Sequence, residues 1–214
     1  SSAYFSNELF KIWTAEKSLI NKKVCISVHG AHHSTALFNH AGKFTEIISD
    51  TFFTWGWKKN ILSSSKLSEL KKSASKFKYN KTEVKICFVA YSANKYSDSI
   101  SARPTSSNFI DTLKIQKNFF RNVNIVLRRN ITIRLKNTSR TWNLEEFYKN
   151  EGVNNFSYLQ AEGLKKLVGR NSLFIFAYES TMFFELLTLN IPSIIFFEEK
   201  FWQLNKIGRK DYDD

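Results

Sequence analysis

The sequence predicts an α/β protein made of two doubly wound parallel-sheet domains, with the end of the first and most of the second present. Three observations predict it. From residue 83 onward short, continuous apolar runs alternate with helical patterns, the βαβαβ rhythm of a parallel sheet covered on both faces. Earlier, the apolar strand KVCISV at 23–28 ends in His29-Gly30 and a polar loop that carries more histidines, an arrangement that open α/β sheets use to present ligand groups at strand C-terminal ends. Between the two lies a stretch rich in Ser and Lys, LSSSKLSELKKSASKFKYNKT, with few large apolar residues. The expected division is 1–61 as the C-terminal part of one Rossmann-like domain, 62–82 as a linker, and 83–214 as a second Rossmann-like domain.

The elements follow in order. Glu8 to Ile20 reads as an amphipathic helix leading into KVCISV. The segment AHHSTALFNHAGK reads as a loop, and DTFFTWGW at 50–57 as a second strand. After the linker, TEVKICFVAY is a strand, SSNFIDTLKIQKNFFRNV a helix, and NITIRLKN at 130–137 the strand that completes a βαβ unit. A helical stretch around TWNLEEFYKN and a short NFSYL segment come next. AEGLKKLVGR then places Leu164, Leu167 and Val168 on one helix face. SLFIFAY is a continuous apolar run suited to a buried parallel strand. STMFFELLTLN, apolar on most of its circumference, is a buried helix that stops at Asn190, and SIIFFEE is a further buried strand. The chain starts without Met and ends, after FWQLNKIGRKDYDD, without closing a structural unit, so a piece of a longer protein is expected.

Composition narrows the function classes. With 43% apolar and 15% aromatic residues, 20 of them Phe, the 214-residue chain is neither disordered nor a disulfide-stapled miniprotein. Lys plus Arg total 32 against 19 acidic residues, a formal charge of +13 that suits nucleic acid, phosphate ligands or a membrane face. The same balance also follows from a composition rich in Lys, Asn, Ile, Phe and Ser with only 7 Gly and 2 Pro. Cys25 and Cys87 each sit inside an apolar run and read as buried, reduced thiols. No Cys/His cluster has zinc spacing, no signal peptide is seen, and no apolar run approaches the roughly 18 residues of a membrane span. The cytoplasm is therefore the expected compartment.

The most informative chemistry lies at 173–196. A buried strand delivers Glu179, Ser180 and Thr181 to the start of a helix, where backbone N–H groups and the positive helix end favour a phosphate. The hydroxyls would donate to phosphate oxygens, and Glu185, one turn on, would reach a ribose hydroxyl or cap the first turn. The competing reading makes Ser180 and Thr181 plain helix caps. In the first domain His29, His32 and His33 suit proton handling near neutral pH, and Asp50 or Glu46 would serve as base or nucleophile. Asp50 equally suits a strand start. Trp55 and Trp57 would face one side of an extended strand, for stacking or for packing.

The strand–hydroxyl pair–helix–"NIPSI" order resembles the donor-binding region of GT-B glycosyltransferases. NITIRLKN, with Arg134 and Lys136, stands where sialyltransferase-like and Kdo-transferase-like members carry a strand ending in a basic or His-Pro phosphate motif, Lys136-Asn137 here replacing His-Pro. HGAHHS followed by EIISDTFFTWGW is similar to transferases of bacterial surface-polysaccharide loci, related to the retaining β-Kdo transferases. The resemblance implies a GT-B enzyme without metal or other cofactor, whose nucleotide-sugar donor, with CMP-Kdo the candidate, is held at the phosphate by Ser180, Thr181 and Arg134, with Lys136 and Glu185 in the same donor site. It implies catalysis by His29, His33 and Asp50. The acceptor would be a surface polysaccharide or lipid-linked glycan, and the basic surface would let the protein sit at the anionic face of the inner membrane. Two alternatives stay open: a basic nucleic-acid-binding module, for which no recognised motif speaks, and a noncatalytic remnant of the fold.

Overall fold

A computed structural model of the chain describes residues 3–30, 35–54, 84–96, 103–136, 142–158 and 163–213. Two compact units are present, Ser1–Lys72 with Leu204–Asp214, and Ser73–Gln203. The division falls inside the expected linker, whose residues 62–82 lie outside the described ones.

In the first unit a short helix α1 (Ala3–Ser6) precedes α2 (Glu8–Leu19), close to the expected span. Asn7 starts α2, its side-chain oxygen accepting from Phe10 N at 3.0 Å. Strands β1 (Cys25–Ser27) and β2 (Thr51–Phe53) pair in parallel, Cys25 opposite Thr51. Between them α3 (His40–Ile47) occupies part of the segment read as a loop. Its start is set by cap chemistry rather than apolar period, since Asn39 Oδ1 accepts from Gly42 N at 2.8 Å. Tyr4, Val24 and Ile26 form a small core with Phe10, Ile48 and Phe52 against it. Cys25 corrects the sequence reading. Burial along β1 alternates, Ile26 points inward, and Cys25 is an exposed free thiol, whereas Cys87 is buried as expected.

The second unit holds a five-stranded, all-parallel sheet in the order β5-β4-β3-β6-β7. The chain runs β3 (Ile86–Val89), α4 (Ser106–Asn122), a short α5 (Ile125–Arg128), β4 (Ile131–Leu135), α6 (Leu144–Asn150), β5 (Asn155–Tyr158), α7 (Leu164–Arg170), β6 (Leu173–Phe176), α8 (Thr181–Thr188) and β7 (Ser193–Ile195). This is the Rossmann-like α/β pattern that the apolar runs predict. Helix α4 buries Phe109, Thr112, Gln116 and Phe120, spaced by three and four residues along one face. That face packs on β3, where the rings of Phe88 and Phe120 lie 4.9 Å apart. Tyr148 of α6 is fully buried beside them and its hydroxyl donates to Gln116 Oε1. The opposite sheet face, which carries Val89, Arg134 and Phe176, receives α8 through Phe183, whose ring is 5.4 Å from that of Phe176.

Two details differ from the sequence reading. Strand β7 was expected to be buried, but it forms the sheet edge and Ile194 is 52% exposed. An edge strand with one covered face carries the same apolar run as a central one. Helix α8 buries Phe183, Glu185 and Leu186 but leaves Leu187 half exposed. It ends as expected, with Asn190 at φ 55° and Ile191 N donating to Leu186 O at 3.0 Å.

The final helix, α9 (Lys206–Asp213), belongs to the first unit. Asn205 N donates to Thr35 O at 2.7 Å, and a Cβ on Gly208 would come within 2.8 Å of Thr35. Only glycine permits that approach. The tail therefore groups with the first unit.

Candidate functional site

The strand order dictates where a ligand can enter the second unit. From β3 the chain winds outward through β4 and β5, then returns to the other side of β3 and continues through β6 and β7. The loops leaving the C-terminal ends of β3 and β6 thus diverge to opposite faces, the position where open α/β sheets form their ligand crevice. The residues at its base come from two matching stretches, Phe88-Val89-Ala90-Tyr91 and Ile175-Phe176-Ala177-Tyr178. Val89 is in register with Phe176, and Ala177 N continues the ladder to Val89 O at 3.5 Å. The next pair, Tyr91 and Tyr178, meets with ring centroids 5.2 Å apart.

Trp202 closes this aromatic floor, 5.0 Å from the Tyr91 ring and 5.9 Å from that of Tyr178. Burial pushes the Tyr91 phenol up to about 12, against the opposing pull of Arg103. Burial also raises Tyr178, while a hydrogen bond with Ser180 and the charges of Arg103 and Arg134 act in the opposite direction. Both phenols are therefore neutral at physiological pH, and two guanidinium groups lie within electrostatic reach of the crevice floor.

Helix α8 begins at the same edge. Ser180 has extended backbone (φ −114°, ψ 141°) and its Oγ accepts from Met182 N at 3.2 Å, which makes it the N-cap. Thr181, half-buried, is the first helical residue and stands at the positive end of the helix. Glu179 and Glu185 are both buried and both engaged in interactions of their own.

The sequence-predicted residues of the second unit are partly brought together. Arg134, 5% exposed, sits near the C-terminal end of β4, between Val89 on β3 and Ser157 on β5. It shares the environment of Tyr178 with Ser180. Lys136 is exposed, one residue beyond β4. Glu185 is one turn into α8, on its buried side.

The candidates of the first unit are not gathered in this way. His29 is exposed, two residues past β1. His32, His33, Trp55 and Trp57 lie outside the described residues. Asp50 stands at the other end of the two-stranded sheet, where its Oδ2 accepts from Val24 N at 2.7 Å and its own N donates to Val24 O at 2.9 Å. Five residues of extended chain, about 16 Å at roughly 3.3 Å each, separate that level from His29. Glu46 is exposed on α3. The one Asp-x-Asp triplet, Asp211-Tyr212-Asp213, lies in α9, and no group of three or more His, Cys, Asp or Glu among the described residues is placed to hold a metal ion. No helix among the described residues is long and apolar enough to cross a membrane.

Sequence reasoning missed Tyr91, Tyr178, Trp202 and Arg103. The signal for the tyrosines was present, because two apolar strands each end in Ala-Tyr. It acquires meaning only when β3 and β6 are known to be neighbours. Neither a curated protein nor a solved structure was found to match this chain. A family model described as LIC12162 family transferase does match, over residues 1–214. With a match that spans its whole length, the chain belongs to the LIC12162 family of transferases.

Proposed function

We propose that this chain carries the donor-binding unit of a metal-independent GT-B-type glycosyltransferase. The enzyme would move a sugar from a nucleotide donor, CMP-Kdo in the first instance, onto a surface polysaccharide or lipid-linked glycan. One observation carries the reading: Ser180 caps α8 just beyond the C-terminal end of β6, and Arg134, near the C-terminal end of β4 in the same sheet, acts on Tyr178 two residues before that cap. Helix dipole and guanidinium charge are what a departing nucleotide phosphate requires. Because the Ser180 hydroxyl already caps the helix, Thr181 is the better phosphate donor of the pair. Lys136 adds charge at the rim, and Glu185 holds the first turn of α8. For proton handling, His29 and His33 are kept as the resemblance implies. Asp50, tied to Val24, is assigned to strand registration rather than to attack on the sugar. The basic surface favours contact with anionic lipid at the inner membrane.

Calorimetric titration with CMP, UDP and GDP tests this, with a short single-stranded DNA as comparison, each at low and moderate salt. Saturable binding of one nucleotide, weakened about fivefold by Thr181→Ala, is the expected result. Tight DNA binding with a steep salt dependence and no nucleotide preference would replace the sugar-transfer reading by a nucleic-acid one. Nucleotide binding without transfer to any glycan would favour a noncatalytic member of the fold.

A further inference from the structure

The sheet face opposite the Phe88 core carries a groove at its β5 edge. Phe156 and Tyr158 of β5 pack against that core, so Asn155 and Ser157 point the other way, and Thr132 of β4, the register partner of Asn155, shares their side. Between these strands and α7 lies an open space of about 710 Å³, within the size range of sites that take small molecules. Three cations line it. Lys166 and Arg170 stand four residues apart and so on one side of α7. Lys85, just ahead of β3, is brought to the end of that helix by Ser172, whose N donates to Lys85 O at 2.8 Å and whose Oγ accepts from Lys85 N at 2.9 Å. No Asp or Glu among the described residues lines the groove. On its sheet side the Ser157 hydroxyl oxygen is buried and has no hydrogen-bond partner among the described residues. Lys85 and Arg170 belong to the N-terminal edge of the sheet, whereas Tyr91, Tyr178 and Ser180 stand beyond the C-terminal ends of β3 and β6. The four residues of each strand separate the two levels by about 13 Å, at roughly 3.3 Å per residue.

We propose that this groove is a second anion site, which takes a small phosphate ester and is separate from the nucleotide-donor site. Three positive side chains from two elements, with no carboxylate among them, attract a dianion. The Arg170 guanidinium presents a planar fork of N–H donors that matches two phosphate oxygens. A third oxygen accepts from the Ser157 hydroxyl, which gives that buried donor the partner it lacks within the protein. The space exceeds what a phosphate ion fills, and the polar side chains of Thr132 and Asn154 border the part left for the ester's organic group.

The test titrates the full chain with inorganic phosphate, glycerol 3-phosphate and glycerol by calorimetry, and measures its sedimentation with vesicles of phosphatidylglycerol or phosphatidylcholine. The variants are Lys166→Gln with Arg170→Gln, Ser157→Ala, and Thr181→Ala at the donor site, with thermal unfolding recorded for each. Lys166 and Arg170 are exposed, so the double variant should fold. Saturable binding of glycerol 3-phosphate but not of glycerol is expected, weakened about tenfold or more by the double variant and about fivefold by Ser157→Ala, and unchanged by Thr181→Ala. If the double variant binds as the wild type does, or if Thr181→Ala alone removes the binding, the phosphate belongs elsewhere and the groove proposal is overturned while the donor reading stands. If neither phosphate compound binds the wild type and phosphatidylglycerol vesicles do so through Lys166 and Arg170, the anion is a lipid headgroup and the small-ester proposal is overturned. Absence of binding by both phosphate compounds and by the vesicles overturns it as well, and the donor reading is then judged by its own nucleotide titration.

Discussion

In the second unit a five-stranded sheet is packed on both faces, with Phe88, Phe109, Phe120, Phe174 and Phe176 all fully buried. Among the described residues, the first unit pairs two short strands over Tyr4, Val24 and Ile26, and leaves Leu9, Leu19 and Ile47 about four-fifths exposed. The contrast bears on function as well as stability. A sheet covered on both faces fixes the ends of its strands, so the side chains of the β3 and β6 loops inherit a defined geometry. A histidine just beyond a three-residue strand inherits much less, and the defined part of the candidate site accordingly belongs to the second unit.

The largest expected effect tests that contrast directly. Phe88 has ring contacts with Phe119, Phe120, Tyr148 and Phe196. Phe88→Ala should cost about 3–5 kcal/mol, the range for deleting a buried aromatic ring. Ile26→Ala, in the smaller cluster, should cost nearer to about 2 kcal/mol because fewer atoms surround the cavity. Hydrogen exchange followed separately for the peptides of each unit gives both values, and equal losses would remove the distinction between a thick core and a thin one.

Alkaline pH should act mainly on the second unit. Burial raises Tyr91 to about 12 in the folded state, against about 10 for an unfolded tyrosine. The folded form therefore holds this proton more tightly. Its contribution is complete below pH 10 and is lost as pH rises through 12, amounting to roughly 2–3 kcal/mol. Burial raises Tyr148 and Tyr178 too, so they add to the slope in the same sense. Unfolding free energies measured between pH 9 and 12 should fall less steeply for Tyr91→Phe than for the wild type. An unchanged slope would mean that the phenol at the base of the crevice is hydrated.

A smaller effect separates the two readings of the α8 start. Ser180→Ala removes the acceptor for Met182 N and should cost about 1 kcal/mol in stability, with Ser180→Thr restoring most of it. If stability is unchanged while nucleotide affinity drops, the hydroxyl serves the ligand and not the helix.

How much of this was legible in the sequence follows from how local each signal is. The strands of the second unit could be read because burial on both faces writes continuous apolar runs such as KICFVA and SLFIFA, and α4 because its apolar spacing has the helical period. The start of α8 was legible for the same reason, a run that changes period at a Ser-Thr pair. Helix α3 was hidden because an Asn39 cap, not a periodic face, sets its start. The attachment of α9 to Thr35 joins residues some 170 positions apart, beyond the reach of any pattern. The Tyr91–Tyr178 pair was written twice in the chain but linked only by the neighbouring of β3 and β6, which are not consecutive strands.

Asp50 is the finest test of the comparison, because one residue was given opposite roles by chemistry and by position. A carboxylate that attacks a sugar or takes a proton cannot be replaced by an amide, whereas one that accepts from a backbone N–H can. Here Oδ2 accepts from Val24 N at 2.7 Å, at the N-terminal edge of the two-stranded sheet. Asp50→Asn keeps an oxygen at that position and should change stability by no more than about 0.5 kcal/mol, while Asp50→Ala leaves Val24 N without this acceptor and should cost about 1 kcal/mol. Transfer activity, measured on the enzyme once its donor is known, should survive Asp50→Asn. If Asn abolishes transfer while stability holds, the carboxylate acts on the substrate, and the thin sheet of the first unit positions chemistry as firmly as the thick one does.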